Sequence, residues 1–141
     1  MMEIRKAFKE DSEFVKSLDR ENMKSIVEKN EGEYYPYWFG DFSPEKCFIL
    51  EEKEPVGFLY IHNPGNKLNI INIQIRNSFQ GQGYGKALLK KAIQIAKKNN
   101  LKKIFLETYD NNRPARDFYK KQGFREIGKT SKNKTGFELS L

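Results

Sequence analysis

Ile73-Gln74-Ile75-Arg76-Asn77-Ser78-Phe79-Gln80-Gly81-Gln82-Gly83-Tyr84-Gly85-Lys86-Ala87-Leu88 is the stretch from which the rest of the chain can be read. A strand runs into a loop carrying three alternate glycines, and a helix follows at once. From Gly83 to Lys98 the apolar residues Ala87, Leu88, Ala92 and Ile95 recur at helical spacing. Alternate glycines lower the steric barrier to a tight turn whose N–H groups converge on an anion. The helix start adds unpaired N–H groups and about half a positive charge. A diphosphate is the natural occupant, with Lys86 nearby as an extra cation. Two better-known phosphate loops do not fit. Gly85-Lys86 is followed by Ala87, so no hydroxyl is placed for magnesium. A dinucleotide fold would need an acid about twenty residues on, where this chain has Lys102-Lys103.

Working outward, Leu68 to Ile75 reads as a strand with Ile71, Ile73 and Ile75 on one face and Leu68 and Ile70 on the other. Cys47 to Glu51 and Val56 to Ile61 read as a hairpin, with Gly57 marking a bulge or a close approach. Asn63-Pro64-Gly65-Asn66 is a turn. Met2 to Phe8 supplies a short first strand, and Phe14, Val15, Leu18, Ile26 and Val27 fit a helix or helix pair. Beyond the glycine loop come a strand at Ile104 to Glu107, a helix at Arg113 to Lys121 ended by Gly123, and strands at Phe124 to Ile127 and Gly136 to Leu141. This order predicts one α/β domain over 1–141, of the α+β kind. Its central sheet is mixed but mostly antiparallel, with helices on both faces.

Composition agrees with a single folded domain of 141 residues. Leu, Ile, Val and Phe number 36, enough to argue against global disorder. No apolar run is long enough to span a membrane and no signal peptide is evident, so a membrane partner is not expected. The single Cys47 excludes an internal disulfide and a cysteine-rich metal site, and a cytoplasmic setting is the default expectation, with no metal. The net charge of +7 is unevenly spread: Met1 to Glu54 carries −5 and Pro55 to Leu141 carries +12. That asymmetry suits a polyanionic ligand on the C-terminal half and a basic substrate near the N-terminal half. Twenty lysines against six arginines speak against nucleic acid, whose groove readers need arginine forks.

Gln80-Gly81-Gln82-Gly83-Tyr84-Gly85 resembles the Q/R-x-x-G-x-G/A signature of the GNAT family of N-acetyltransferases. Asn112-Arg113-Pro114-Ala115-Arg116-Asp117-Phe118-Tyr119-Lys120-Lys121-Gln122-Gly123-Phe124 resembles that family's second signature, N-x-x-A-x-x-F/Y-Y-x-x-x-G-F. Both stand in the family's order with the expected strand and helix between them. The resemblance implies the GNAT fold, acetyl-CoA as co-substrate, and direct attack of a primary amine on the thioester without an acyl-enzyme. It assigns the CoA diphosphate to the turn formed by Gln80, Gly81, Gln82, Gly83, Tyr84, Gly85 and Lys86. It assigns the pantetheine arm to the backbone edge of Ile73 and Ile75 and to Asn112, in the gap where Leu68 to Ile75 parts from Ile104 to Tyr109. Tyr119 matches the tyrosine that points at the CoA sulfur and is the candidate general acid; a backbone N–H near Ile75 is the candidate oxyanion donor.

The base is less defined. Relatives with a glutamate on the splayed strand use it to deprotonate the amine, but this chain has Asn69 and Asn72 there. Glu107 on the adjacent strand is the candidate, with Glu28, Glu31 and Glu33 as alternatives; a carboxylate whose pKa is raised by burial can take the proton. Cys47 reads as core and His62 as the end of a strand. Tyr34, Tyr35, Tyr37, Trp38 and Phe39 either line the acceptor pocket, where they would favour an ammonium, or pack the first helix onto the sheet. Peptide N-terminus, lysine, polyamine, amino sugar and small amine all remain open as acceptors, and a homodimer is compatible with the reading. Two other functions compete with it: an acyl-CoA-binding sensor or inactive module of the same fold, and a basic nucleic-acid-binding domain.

Overall fold

The computed structural model describes residues 1–36 and 40–141. The expectations for Tyr37, Trp38 and Phe39 therefore lie outside the described residues. Seven strands form one sheet: β1 (Glu3–Lys6), β2 (Cys47–Glu52), β3 (Glu54–His62), β4 (Leu68–Ile75), β5 (Lys103–Tyr109), β6 (Arg125–Ser131) and β7 (Lys134–Ser140). Their spatial order is β1-β2-β3-β4-β5-β7-β6. All neighbours are antiparallel except β4 and β5. Among the described residues three α-helices cover it: α1 (Ser12–Glu31), α2 (Tyr84–Lys98) and α3 (Arg113–Lys121). The mostly antiparallel mixed sheet matches the reading of the sequence, and the first helical segment is one helix of 20 residues rather than a pair.

The two faces have separate cores. One packs Leu50, Leu59, Leu68, Ile70, Ile75, Ile104, Leu106 and Phe137 against Leu88, Leu89, Ala92 and Ala96 of α2 and Tyr119 of α3. The other packs Cys47, Ile49, Phe58 and Tyr60 against Val15 and Leu18 of α1. Gly57 is a close approach: a Cβ there would meet Ile75 Cδ1 at 2.5 Å and the Gln74 carbonyl at 2.8 Å. Gly123 ends α3 at φ +97°.

The faces of β4 differ from simple alternation. Tyr60 pairs with Asn72 and Ile61 with Ile70, which leaves Ile71 as an extra residue, a β-bulge. The bulge shifts the side-chain period by one. Ile73 and Ile75 thereby join Leu68 and Ile70 on the α2 side, while Ile71 packs toward α1. Asn72 and Gln74 are thus left on the α1 side, where Gln74 bonds the α1 residue Asp19.

β4 and β5 share only two register pairs, Leu68 with Ile104 and Asn69 with Phe105. Beyond them each strand stays with its outer neighbour: β4 remains paired with β3 up to Ile75, and β5 with β7 up to Tyr109. The sheet therefore opens in the middle, and the opening is the site.

Candidate active site

A cavity of about 440 Å³ fills this opening and passes through the sheet. On the α3 side its walls are Ile73, Leu106, Thr108, Asn112, Ala115 and Tyr119. On the α1 side they include Asp19, Met23, Val27, Tyr35, Asn72, Gln74 and Glu107.

The glycine loop lies at the start of α2. Gly81 and Gly83 hold φ of +78° and +90°, and nothing lies within 4 Å of where their Cβ atoms would be. Glycine is required there by backbone conformation, not by crowding. Gly85 differs: its Cβ would stand 3.4 Å from the Phe118 ring, so it lets α3 pack close to α2. No acceptor among the described residues takes the N–H groups of Gly81 through Lys86; the first bond of the helix is Ala87 N–H to the Gly83 carbonyl. These six donors and the positive end of a 15-residue helix suit a diphosphate.

The side chains of the loop serve as braces. Gln80 donates to the Ile75 carbonyl at 2.9 Å and to Asn77 Oδ1 at 3.1 Å. Tyr84 donates to Glu52 at 2.7 Å, which lowers the pKa of that carboxyl and raises that of the phenol. Lys86 is exposed. Ile73 lines the cavity, whereas Ile75 lies beyond its lining, and the Ile75 carbonyl accepts from both Gln80 and Asn22.

Asn112 caps α3, its Oδ1 accepting from the Ala115 N–H at 3.4 Å, and it also lines the cavity. Tyr119 is held edge-on between Phe118 and Phe124, with ring centroids 5.1 and 5.4 Å away. It is 7% exposed, and burial alone raises its pKa above the ordinary 10.0. Thr108 Oγ1 and Asn69 Oδ1 are buried at the cavity with no hydrogen-bond partner among the described residues. The orphaned Thr108 hydroxyl, on the α3 side of the opening, fits the amide-bearing arm of an acyl-CoA, whereas Asn69 faces the α1 side, next to Leu68 where β4 still pairs with β5.

Glu107 lines the cavity from β5, 3.7 Å from Lys134 Nζ. Glu31 accepts from the Tyr109 hydroxyl at 2.9 Å, and neither Glu28 nor Glu33 lines the cavity. Cys47 is fully buried and its thiol is pushed up to about 12 by burial. His62 lies exposed at the end of β3, outside the cavity lining. Of the aromatic segment, Tyr35 lines the cavity and Tyr34 donates to Asp19 at 2.6 Å. Asp19 is a cavity residue that reading the sequence missed. It is 1% exposed, and Gln74 also donates to it at 2.6 Å. The available signal was the α1 stripe Val15, Asp19, Met23, Val27, one acid at fourfold spacing among apolar residues.

The model of the acetyltransferase (GNAT) family matches residues 6–124. Among curated proteins, the chain is 33% identical over 79 residues to the [ribosomal protein bS18]-alanine N-acetyltransferase of Haemophilus influenzae, covering 56% of this chain and 53% of that one. It is 24% identical over 123 residues to the putative [ribosomal protein bS18]-alanine N-acetyltransferase of Bacillus subtilis, covering 81% of this chain and 82% of that one. Among solved structures, the PaiA N-acetyltransferase of Thermoplasma acidophilum in complex with coenzyme A superposes over 100% of this chain and 99% of that one, with a TM-score of 0.79 at 22% identity. The splayed sheet, the glycine turn at the helix start and the match over most of the sequence agree: the chain belongs to the acetyltransferase (GNAT) family.

Proposed function

We propose that this chain transfers the acetyl group of acetyl-CoA to a primary amine by direct attack. The observation that carries the reading is the parting of β4 from β5 with Tyr119 buried in the gap. The N–H groups of Gly81 through Lys86 hold the diphosphate, and the β4 edge at Ile73 together with Asn112 and Thr108 holds the pantetheine arm. An exposed strand edge reads amides as an added strand would.

The amine nitrogen attacks the carbonyl carbon; a C–N bond forms and the C–S bond breaks. An ammonium acceptor gives up two protons in all. One passes to Glu107 and on to solvent, and the other balances the proton that Tyr119 delivers to sulfur. Burial keeps Tyr119 protonated for that task. Backbone N–H groups on the open edge of β4 stabilise the charge developing on the carbonyl oxygen.

Thiol release from acetyl-CoA over a panel of amines, with mass detection of the acetylated product, tests the reading. Release with an acetylated acceptor supports it. CoA binding with no acetylated acceptor from peptides or small amines overturns it in favour of an acyl-CoA-binding module of the same fold.

A further inference from the structure

We infer that Asn22 and Glu21 of α1 are positioning residues for acetyl-CoA. They hold the chain that leads into the glycine turn, so that the N–H groups of the turn stand ready for the diphosphate. This deepens the assignment of the diphosphate to that turn and rests on it.

The glycine turn has little to shape it from within. Gly81 and Gly83 have open space where side chains would be, and glycine visits many backbone conformations. The geometry of the turn therefore depends on the segment before it, Ile75 to Gln80, where the chain leaves the sheet. β4 stays with β3 as far as Ile75, and the Arg76 N–H still reaches the Val56 carbonyl at 2.8 Å. From there a short 3₁₀ turn, Asn77–Phe79, leads to Gln80.

Side chains of α1 grip this segment. Asn22 Nδ2 donates to the Ile75 carbonyl at 3.0 Å, and Glu21 Oε2 accepts from the Asn77 N–H at 3.0 Å. Gln80 closes the arrangement, donating to the same Ile75 carbonyl at 2.9 Å and to Asn77 Oδ1 at 3.1 Å. Both residues that Gln80 holds are thus held by α1 as well. Neither Asn22 nor Glu21 lines the cavity, so they act through the turn. A turn fixed before binding loses no affinity to ordering, whereas one that is competent only part of the time loses affinity by that fraction.

The test is the CoA affinity of the whole chain, read by titration calorimetry beside thermal melts. Asn22→Ala and Glu21→Ala should each weaken CoA binding about 3- to 10-fold, the range that one lost hydrogen bond supports. Glu21→Gln keeps an acceptor oxygen and should bind CoA as the wild type does. Asp11→Asn, at the start of the same helix, should lower stability and leave CoA affinity unchanged, which separates positioning from a general weakening of α1. Glu21 is exposed, so its variants keep the fold and carry the test if Asn22→Ala does not fold. Wild-type affinity in either alanine variant overturns the inference and leaves the diphosphate site standing. A loss in Glu21→Gln or Asp11→Asn as large as in Glu21→Ala does the same. No CoA binding by the wild type overturns both.

Discussion

The Phe118 ring of α3 stands 3.4 Å from the point where a side chain on Gly85 of α2 would begin. The same ring meets Tyr119 edge-on at 5.1 Å, so the contact between the two family motifs sets the position of the tyrosine in the cavity. Gly85 and Gly83, two residues apart, therefore respond differently to the same substitution. Gly85→Ala should leave thermal stability unchanged or slightly raised, because a helical glycine costs up to about 1 kcal/mol relative to alanine. Gly85→Leu should displace Phe118 and slow turnover. Gly83→Ala should cost about 1–2 kcal/mol, the strain of a left-handed residue, and weaken CoA binding. Thermal melts and CoA titration separate the three.

Gly57→Ala should be the more damaging change. Its methyl group would lie 2.8 Å from a backbone carbonyl of β4, which cannot move without parting β3 from the strand that borders the site. A loss of about 1–3 kcal/mol is expected in urea unfolding. A neutral result would mean that β4 is not held at this point.

Tyr119→Phe keeps the ring packing and removes the hydroxyl. CoA affinity should stay within error, while turnover on the true acceptor falls by about a hundredfold or more, the usual worth of a positioned acid. Because burial raises the phenol pKa above 10.0, the pH–rate profile of the wild type should show no loss from tyrosine ionisation below that pH. An unchanged rate for the Phe variant would remove Tyr119 from the chemistry.

Asp11 accepts from Arg5 at 2.8 and 3.1 Å and from the Phe8 N–H at 2.7 Å, joining β1 to the start of α1. The Arg5 hydrogen bonds are the largest cause of a folded-state pKa below the ordinary 3.8. A depressed carboxylate pKa adds stability that is complete above the unfolded value and is lost as pH falls through the folded one. Acid unfolding should therefore steepen below pH 3.8, and Asp11→Asn should flatten that limb while lowering stability at neutral pH. Denaturant melts at a series of pH values check both.

Local patterns on the chain carried much of this protein's architecture. The helical period after Gly83 and the breakers at Asn63 to Asn66 and at Gly123 depend on neighbours a few residues away, and they appear where expected. The two family motifs were legible for the same reason. The faces of β4 were not, because the bulge at Ile71 arises from how β4 pairs with β3, and one extra residue reverses every side chain after it.

Asp19 shows the same limit at the site. In the sequence it is one acid among the 14 of the first 54 residues. It becomes a cavity wall only because α1 lies across β4 and Gln74, turned to that face by the bulge, reaches it. The sequence by itself determined the elements, the glycine turn and the tyrosine motif, since these are set by short-range sterics and periodicity. Tertiary structure decided which carboxylates share the opening with Tyr119, because burial and ion pairing depend on elements brought together from distant parts of the chain.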